Sequence, residues 1–327
     1  MGMLHASTLN SLKNSEVVAI TETEKFVANF LKKYTPKIRI YKNYETMIKS
    51  EKLDAVYITT PVNTHIEIAS YCAKNEIPFF VEKPLGKTAK ECKELCALLE
   101  TKDVINMVGF NLRFSNTFYE AKKRLSDGKI GKIKKIKATA YRSLISKTGT
   151  AWRFKKDTSG GGVLIDIGIH AIDLLTWFFG DIESVKVTKS HYVNEIEDMI
   201  STKLFFKNKL QCDFETSWII KNHRVQETTI TIEGTLGKMV VSEDYIKNEI
   251  YENNEKEILY KQSLHRGVEF DVAGSIYTKE DIEFINAIKN KMQTELNVLE
   301  SVKVQSIIDQ IYKSSKTQEK ENVNYFE

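Results

Sequence analysis

Residues 1–110 of this 327-residue chain alternate short apolar runs with amphipathic ones, and that alternation restricts the fold more than any other feature. EVVAI, IRIY, DAVYITT, IPFFV and VINMVGF have strand length and little internal polarity. Between them lie helical patterns: TETEKFVANFLKKY, a short YETMIKS, HIEIASYCAKN and TAKECKELCALLE. Strands separated by helices pair in parallel, and parallel strands this apolar are covered on both faces, so a doubly wound α/β sheet is expected. Thr23 reads as an N-cap with Val27, Phe30, Leu31 and Tyr34 as the buried face behind it. Thr64 with Glu67, and Thr88 with Glu91, have capping-box spacing. The opening MGMLHASTLNS reads as a helix with Met3, Leu4, Leu9 and Leu12 on its apolar face.

From about Leu112 the rhythm changes. A helix near NTFYEAKKRLSDG leads into GKIKKIKATAYRS, and SGGGVLIDIGIHAIDLLTWFFG reads as a long buried helix. SVKVTKSHYV, DMISTKLFFK, KLQCDFETSWII, ETTITIEG and GKMVVSE then follow as strands separated by turn signals, the pattern of an antiparallel sheet. Helices in KEDIEFINAIKNK and LESVKVQSIIDQIYKSS close the chain. The organisation expected is a domain over 1–110 and an α+β domain over 111–327, each with its own core.

Charge and apolar content exclude several classes. The net charge of +4 balances 48 basic against 44 acidic residues, and GKIGKIKKIK alternates Lys with Ile as a half-exposed strand does, so no nucleic-acid partner is expected. VLIDIGIHAIDLLTWFF is broken by Asp and Gly and falls short of the roughly 18 residues of a bilayer span, so no membrane segment is expected. Cys72, Cys92, Cys96 and Cys212 form no CxxC pair; Cys92 and Cys96 share a helical stripe with Ala89, Leu95 and Leu99 and read as packed thiols in a reducing, cytoplasmic compartment. No signal peptide is visible, and Ala6 excludes an N-myristoylation pattern.

Four stretches carry chemistry. In FFVEKPLGK, Glu82, Lys83 and Pro84 follow directly on a strand, at the sheet edge where doubly wound folds bind ligands. A Lys there stabilises negative charge developing on a substrate oxygen, and Pro84 suits a cis bond that aims it. In DIGIHAID, Asp166, His170 and Asp173 fall on one face of an otherwise apolar helix, which suits acid–base work with a carboxylate holding the imidazole tautomer. The spacing offers no second His or Cys for zinc. ITTPVNTH places Thr60, Pro61, Asn63 and His65 on the same rim as Lys83. Glu22, at the end of EVVAIT, suits hydrogen bonds from adenosine ribose hydroxyls and repels a 2′-phosphate, so NAD is favoured over NADP.

These stretches in this order, together with MGMLHA, VGFNLRF, the AWRFKKDTSGGG segment, IEGTLGKMVV and YTKEDIEFINAI, resemble the Gfo/Idh/MocA oxidoreductases along almost the whole chain. The resemblance implies a Rossmann-type domain followed by a domain with an open, mostly antiparallel sheet, assembling as a homodimer or homotetramer. It implies NAD(P)-dependent hydride transfer at a carbon bearing a hydroxyl or carbonyl on a sugar, polyol or nucleotide-sugar. Carried onto this sequence, Lys83 matches the catalytic lysine and His170 the general base, with Asp166 beside it. Gly2, Glu22, Thr60, Pro61, Asn63, His65 and Glu82 match cofactor-lining positions, as does Lys83. Asn111, Arg113, Tyr141, Trp152 and Asp173 match the substrate side. Only Gly2 remains of the three glycines in the family's phosphate-binding turn, and the central strand between EVVAI and DAVYITT has no counterpart. That departure keeps a redox-silent sugar- or nucleotide-sensing protein open as an alternative, and some relatives are NAD-using glycosidases.

Overall fold

The computed structural model describes residues 1–143, 155–193, 195–221, 223–264 and 274–325. Its first part runs α1 (Gly2–Ser11), β1 (Ala19–Thr21), α2 (Lys25–Tyr34), β2 (Arg39–Tyr41), α3 (Tyr44–Ser50), β3 (Val56–Ile58), α4 (His65–Lys74), β4 (Phe79–Glu82), α5 (Ala89–Glu100) and β5 (Asn106–Gly109). All pairings here are parallel, β1 with β2 and β3 with β4 with β5. Among the described residues no ladder joins β1 to β3, so the parallel layer is two sheets of two and three strands. The strand expected between them has no counterpart among these residues.

The second part begins with α6 (Asn116–Ser126), β6 (Ile133–Tyr141) and a short α7 (Lys156–Ser159). A π-helical turn, Leu164–Gly168, leads into α8 (Ile169–Phe179). β7 (Ile182–Val193), β8 (Ile196–Phe206), β9 (Gln211–Ser217), β10 (Glu227–Gly234), β11 (Gly237–Val241), β12 (Tyr245–Ile250) and β13 (Glu255–Tyr260) follow. The chain ends through α9 (Ser275–Asn290), α10 (Val298–Thr317) and β14 (Glu321–Asn322). β6–β14 form one nine-stranded sheet in the order β13-β12-β11-β10-β6-β9-β8-β7-β14, antiparallel except between β6 and β9. The resulting class is the expected one, a Rossmann-type parallel layer followed by a mostly antiparallel sheet.

Several local expectations change once packing is visible. The buried apolar side chains make one continuous core running from Met47 to Tyr325 instead of two separate cores. The reason is that the C-terminal helices return to the first part: Asp309 of α10 accepts from the Ala89 amide, and the Leu296 carbonyl accepts from Val108. The segment Lys156–Phe179 is, by length and composition, long and apolar enough to cross a bilayer, contrary to the expectation, yet 78% of its most apolar window is buried inside this fold. On α1 the buried residues are His5, Thr8 and Leu9, while Met3 is exposed. The N-cap of α2 is Glu24, not Thr23, and only Leu31 of the expected face is buried, with Phe30 and Tyr34 exposed. Thr88 does accept from Glu91 N–H, whereas Thr64 turns its hydroxyl to Thr60 and Pro61 and caps nothing. Cys72, Cys92 and Cys212 are buried free thiols and Cys96 is half-buried.

α8 is fixed by one carboxylate. Glu197 of β8, buried, accepts from Gly162 N–H, Leu164 N–H and the Tyr312 hydroxyl. Gly162 passes so close that a Cβ there would stand 2.0 Å from the Glu197 carbonyl oxygen. Glu197→Ala strands those donors in the core, and urea unfolding is expected to show a loss of about 3 kcal/mol.

Candidate active site

The site lies where the end of β4 meets the start of α8. β4 is fully buried through Glu82, and the chain leaves it through a cis Lys83–Pro84 peptide, as the sequence suggested. Successive residues at a strand end point to opposite sides. Glu82 turns inward while Lys83 turns toward α8. Its ammonium donates to the Asp166 carbonyl at 2.5 Å and stands 3.8 Å from Asp166 Oδ1. The receiving carbonyl sits in the π-helical turn, the kind of local slip that recurs at functional sites.

His170 follows one turn later and is 6% exposed. Burial, with the neighbouring Lys83 charge adding to it, holds its imidazole well below the ordinary value of 6.5. Two buried atoms point to a ligand: His170 Nδ1 and Asp166 Oδ2 have no hydrogen-bond partner among the described residues. Asp166 therefore meets Lys83 and does not hold the His170 tautomer, which corrects the expected carboxylate–imidazole pair. Asp173, expected on the same face, is occupied otherwise. It takes a bidentate pair from Arg113, at 2.9 and 2.7 Å, with its side chain 1% exposed. Burial raises the Asp173 carboxyl, and Arg113 opposes that rise.

The rim expected to line a cofactor divides in two. Thr60, Pro61 and Asn63 are exposed on the turn between β3 and α4. Glu22 follows directly on β1, with its backbone N–H on the Tyr41 carbonyl and its Oε1 accepting from Glu24 N–H at 2.8 Å. Gly2 opens α1 against the end of β3, where a Cβ would stand 2.8 Å from Thr59 Oγ1. His65 is instead a strut: its ring nitrogens lie 2.8 Å from the Pro84 and Thr60 carbonyls, and it is 1% exposed. Burial lowers its pKa. Glu82 also faces away from the rim, with its carboxylate on His5.

Of the substrate-side candidates, Asn111 is buried on the turn after β5 against Tyr277. Tyr141 lies on the other face of the large sheet. Its neighbours Ala138 and Ala140 face the core, and its hydroxyl donates to Glu215 at 2.6 Å. Trp152 lies outside the described residues. Sequence reading missed His5, because a histidine in a helix that looked apolar elsewhere gave no signal of its three-element contact. A cleft between α6, α8 and α9, lined by Arg113, Trp177, Lys279 and Glu283, excludes Lys83, Asp166 and His170.

Comparison with known proteins agrees with this fold. The profile described as the oxidoreductase family with an NAD-binding Rossmann fold matches residues 1–110, and the GFO/IDH/MocA C-terminal domain matches residues 118–240. The chain belongs to the Gfo/Idh/MocA oxidoreductase family. Among curated relatives, levoglucosan dehydrogenase of Pseudarthrobacter phenanthrenivorans is 31% identical over 155 residues, 47% of this chain and 40% of its own. The myo-inositol 2-dehydrogenase of Thermotoga maritima is 27% identical over 60% of this chain and 57% of its own. The matches thus span about half the length of those relatives. A solved levoglucosan dehydrogenase in complex with NADH and levoglucosan shares the fold at a TM-score of 0.87, with 22% identity over 98% of this chain and 95% of that one.

The lowered pKa of His170 has a testable sign. A ring that stays neutral when folded but protonates when unfolded costs nothing above its unfolded value of 6.5 and destabilises the fold increasingly as pH falls below it. His170→Gln is therefore expected to lose less Tm than the unsubstituted chain between about pH 7.5 and about pH 5, read by thermal melts.

Proposed function

We propose that the protein is an NAD-dependent dehydrogenase or reductase that acts on a carbon bearing a hydroxyl or carbonyl in a sugar, polyol or nucleotide-sugar. The observation that carries this reading is the buried pair of unpartnered atoms, His170 Nδ1 and Asp166 Oδ2, beside the Lys83 ammonium. Family membership and the names of the relatives support the substrate class. The residues present fit a dinucleotide: Gly2, lacking a Cβ, lets the start of α1 pass close to Thr59 at the end of β3, the first turn of a helix has N–H groups that its own backbone does not use, and Glu22 follows β1 with one carboxylate oxygen still uncommitted to Glu24. Gly2, Glu22, Thr60, Pro61 and Asn63 would hold it, and the Glu22 carboxylate favours NAD over NADP. Nicotinamide, when bound, supplies the hydride acceptor or donor.

The chain's own residues handle the proton and the charge. A neutral His170 has a ring nitrogen ready to accept the proton of a substrate hydroxyl, and burial keeps it neutral at pH 7. The Lys83 ammonium has three donors. One is held by the Asp166 carbonyl, which fixes the lysine's direction and leaves the others for the substrate oxygen as it becomes negative. Lys83 also biases the imidazole, since a cation beside the ring disfavours a second charge until the proton arrives from substrate. A homodimer or homotetramer in a reducing cytoplasm completes the reading, in keeping with the four free thiols.

The separation of β1–β2 from β3–β5 favours one competing reading, a redox-silent binding protein. NADH and NADPH titrations followed by nicotinamide fluorescence, then turnover on levoglucosan, myo-inositol and nucleotide-sugars, distinguish the two. NADH binding with turnover is expected, and Lys83→Ala is expected to lower kcat by about 10²–10³. His170→Ala is expected to lower it by about 10²–10⁴, with NADH affinity retained in both variants. Tight NADH binding without turnover on any of these compounds supports the binding protein, and no NADH binding overturns the oxidoreductase reading.

A further inference from the structure

Behind Lys83 lies a buried cluster that the reaction does not use. The His5 ring of α1 is 1% exposed, and its two nitrogens meet carboxylates from different elements: Nδ1 is 2.8 Å from Asp281 Oδ1 of α9 and Nε2 is 3.1 Å from Glu82 Oε1 of β4. A neutral imidazole donates from one nitrogen only, so two carboxylates on opposite nitrogens call for a ring protonated on both. Burial by itself lowers the ring's pKa; the hydrogen bonds and charges of Asp281 and Glu82 outweigh it and push it up to about 10.

Every element around the ring has its titratable groups accounted for. β3 contributes Tyr57, β4 Glu82, and α9 Tyr277, Glu280 and Asp281. The rings of Tyr57, Phe80 and Tyr277 lie 5.5, 5.0 and 6.1 Å from it. Glu280, wholly buried, has neither oxygen partnered among the described residues, and burial holds its carboxyl well above the ordinary range. Burial thus disfavours its ionised form, and the carboxylates that meet the imidazole are Glu82 and Asp281.

Glu82 and Lys83 are consecutive at the strand end and face opposite ways, so whatever fixes Glu82 also fixes the backbone from which Lys83 reaches Asp166. We infer that His5 is a positioning residue: by bridging Glu82 and Asp281 it locks α1 and α9 to the end of β4, so that the helix start offered to the dinucleotide and the Lys83 ammonium keep one mutual geometry. This inference rests on the oxidoreductase reading for its catalytic consequence, but the lock itself does not. A misplacement of about 1 Å at a reacting group costs on the order of 10² in rate, which sets the scale of the effect.

The test compares the unsubstituted chain with His5→Gln, and with Leu9→Ala as a control that opens a cavity on the same helix outside the bridge. In hydrogen exchange without cofactor, His5→Gln is expected to accelerate exchange by about tenfold in α1, in residues 80–86 and in α9 together, and Leu9→Ala in α1 alone. With NADH and a turned-over sugar, His5→Gln is expected to lower kcat by about 30–100-fold while KM for the cofactor moves by less than about threefold. Faster exchange confined to α1, or an unchanged kcat, overturns the lock. Absence of turnover in the unsubstituted chain is a failure of the oxidoreductase reading, and the exchange pattern then decides the lock by itself. Should His5→Gln not fold, ¹⁵N-histidine spectra of the unsubstituted chain decide: an imidazole protonated on both nitrogens at about pH 8 supports the bridge, and rings that are all neutral there overturn it.

Discussion

A lysine ammonium held by a helix carbonyl is the contact on which the rest of this site depends. Lys83 and Asp166 are 83 residues apart, one at the end of a parallel strand and the other in the turn that begins α8. Their bond joins the two halves of the molecule where the proposed function needs an acid–base group and a cation side by side. Burial, with the same cation adding to it, lowers the pKa of the His170 imidazole nearby. Lys83 and His170 come together only when both of their elements are in place.

Support for that contact comes from carboxylates that touch no substrate. Glu197 gathers the Gly162 and Leu164 amides and the Tyr312 hydroxyl, which anchors the entry to α8. Asp173 holds Arg113 by two hydrogen bonds lower on the same helix. Glu82 and Asp281 share His5 on the opposite side of β4. Each of these carboxylates is met by donors, as the cost of desolvating a lone carboxylate requires. Beside Lys83, His170 Nδ1 and Asp166 Oδ2 are buried without a hydrogen-bond partner among the described residues.

Local signals proved reliable where a residue's surroundings are its own chain neighbours. The βα alternation placed all five parallel strands, and Thr88 capped α5 as its spacing suggested. Signals failed where the partner comes from afar. Asp166, Asp173 and His170 share a helical face on paper, yet one answers to Lys83 and another to Arg113, because charge pairs are chosen by what packs opposite and not by spacing. His65 looked like a rim residue and became a strut between two carbonyls, since the turn folds it beneath the rim. The face predicted for α2 is largely exposed, because a helix buries an apolar stripe only where an element lies against it.

The sequence by itself determined the class of fold and singled out Lys83 and His170, the two groups to which the proposed chemistry is assigned. Strand-end motifs and period-matched helices are local consequences of backbone geometry and side-chain shape, and they can be read without knowing what lies across the core. The tertiary structure alone decided that the parallel layer divides between β1 and β3, that one core serves both halves, and that Asp166 serves Lys83. It also gave His5, unremarkable in the sequence, its two carboxylates. Pairing energies between buried charges and hydrogen-bonding groups depend on distance and desolvation, and both come into being only when segments far apart in the chain are packed together.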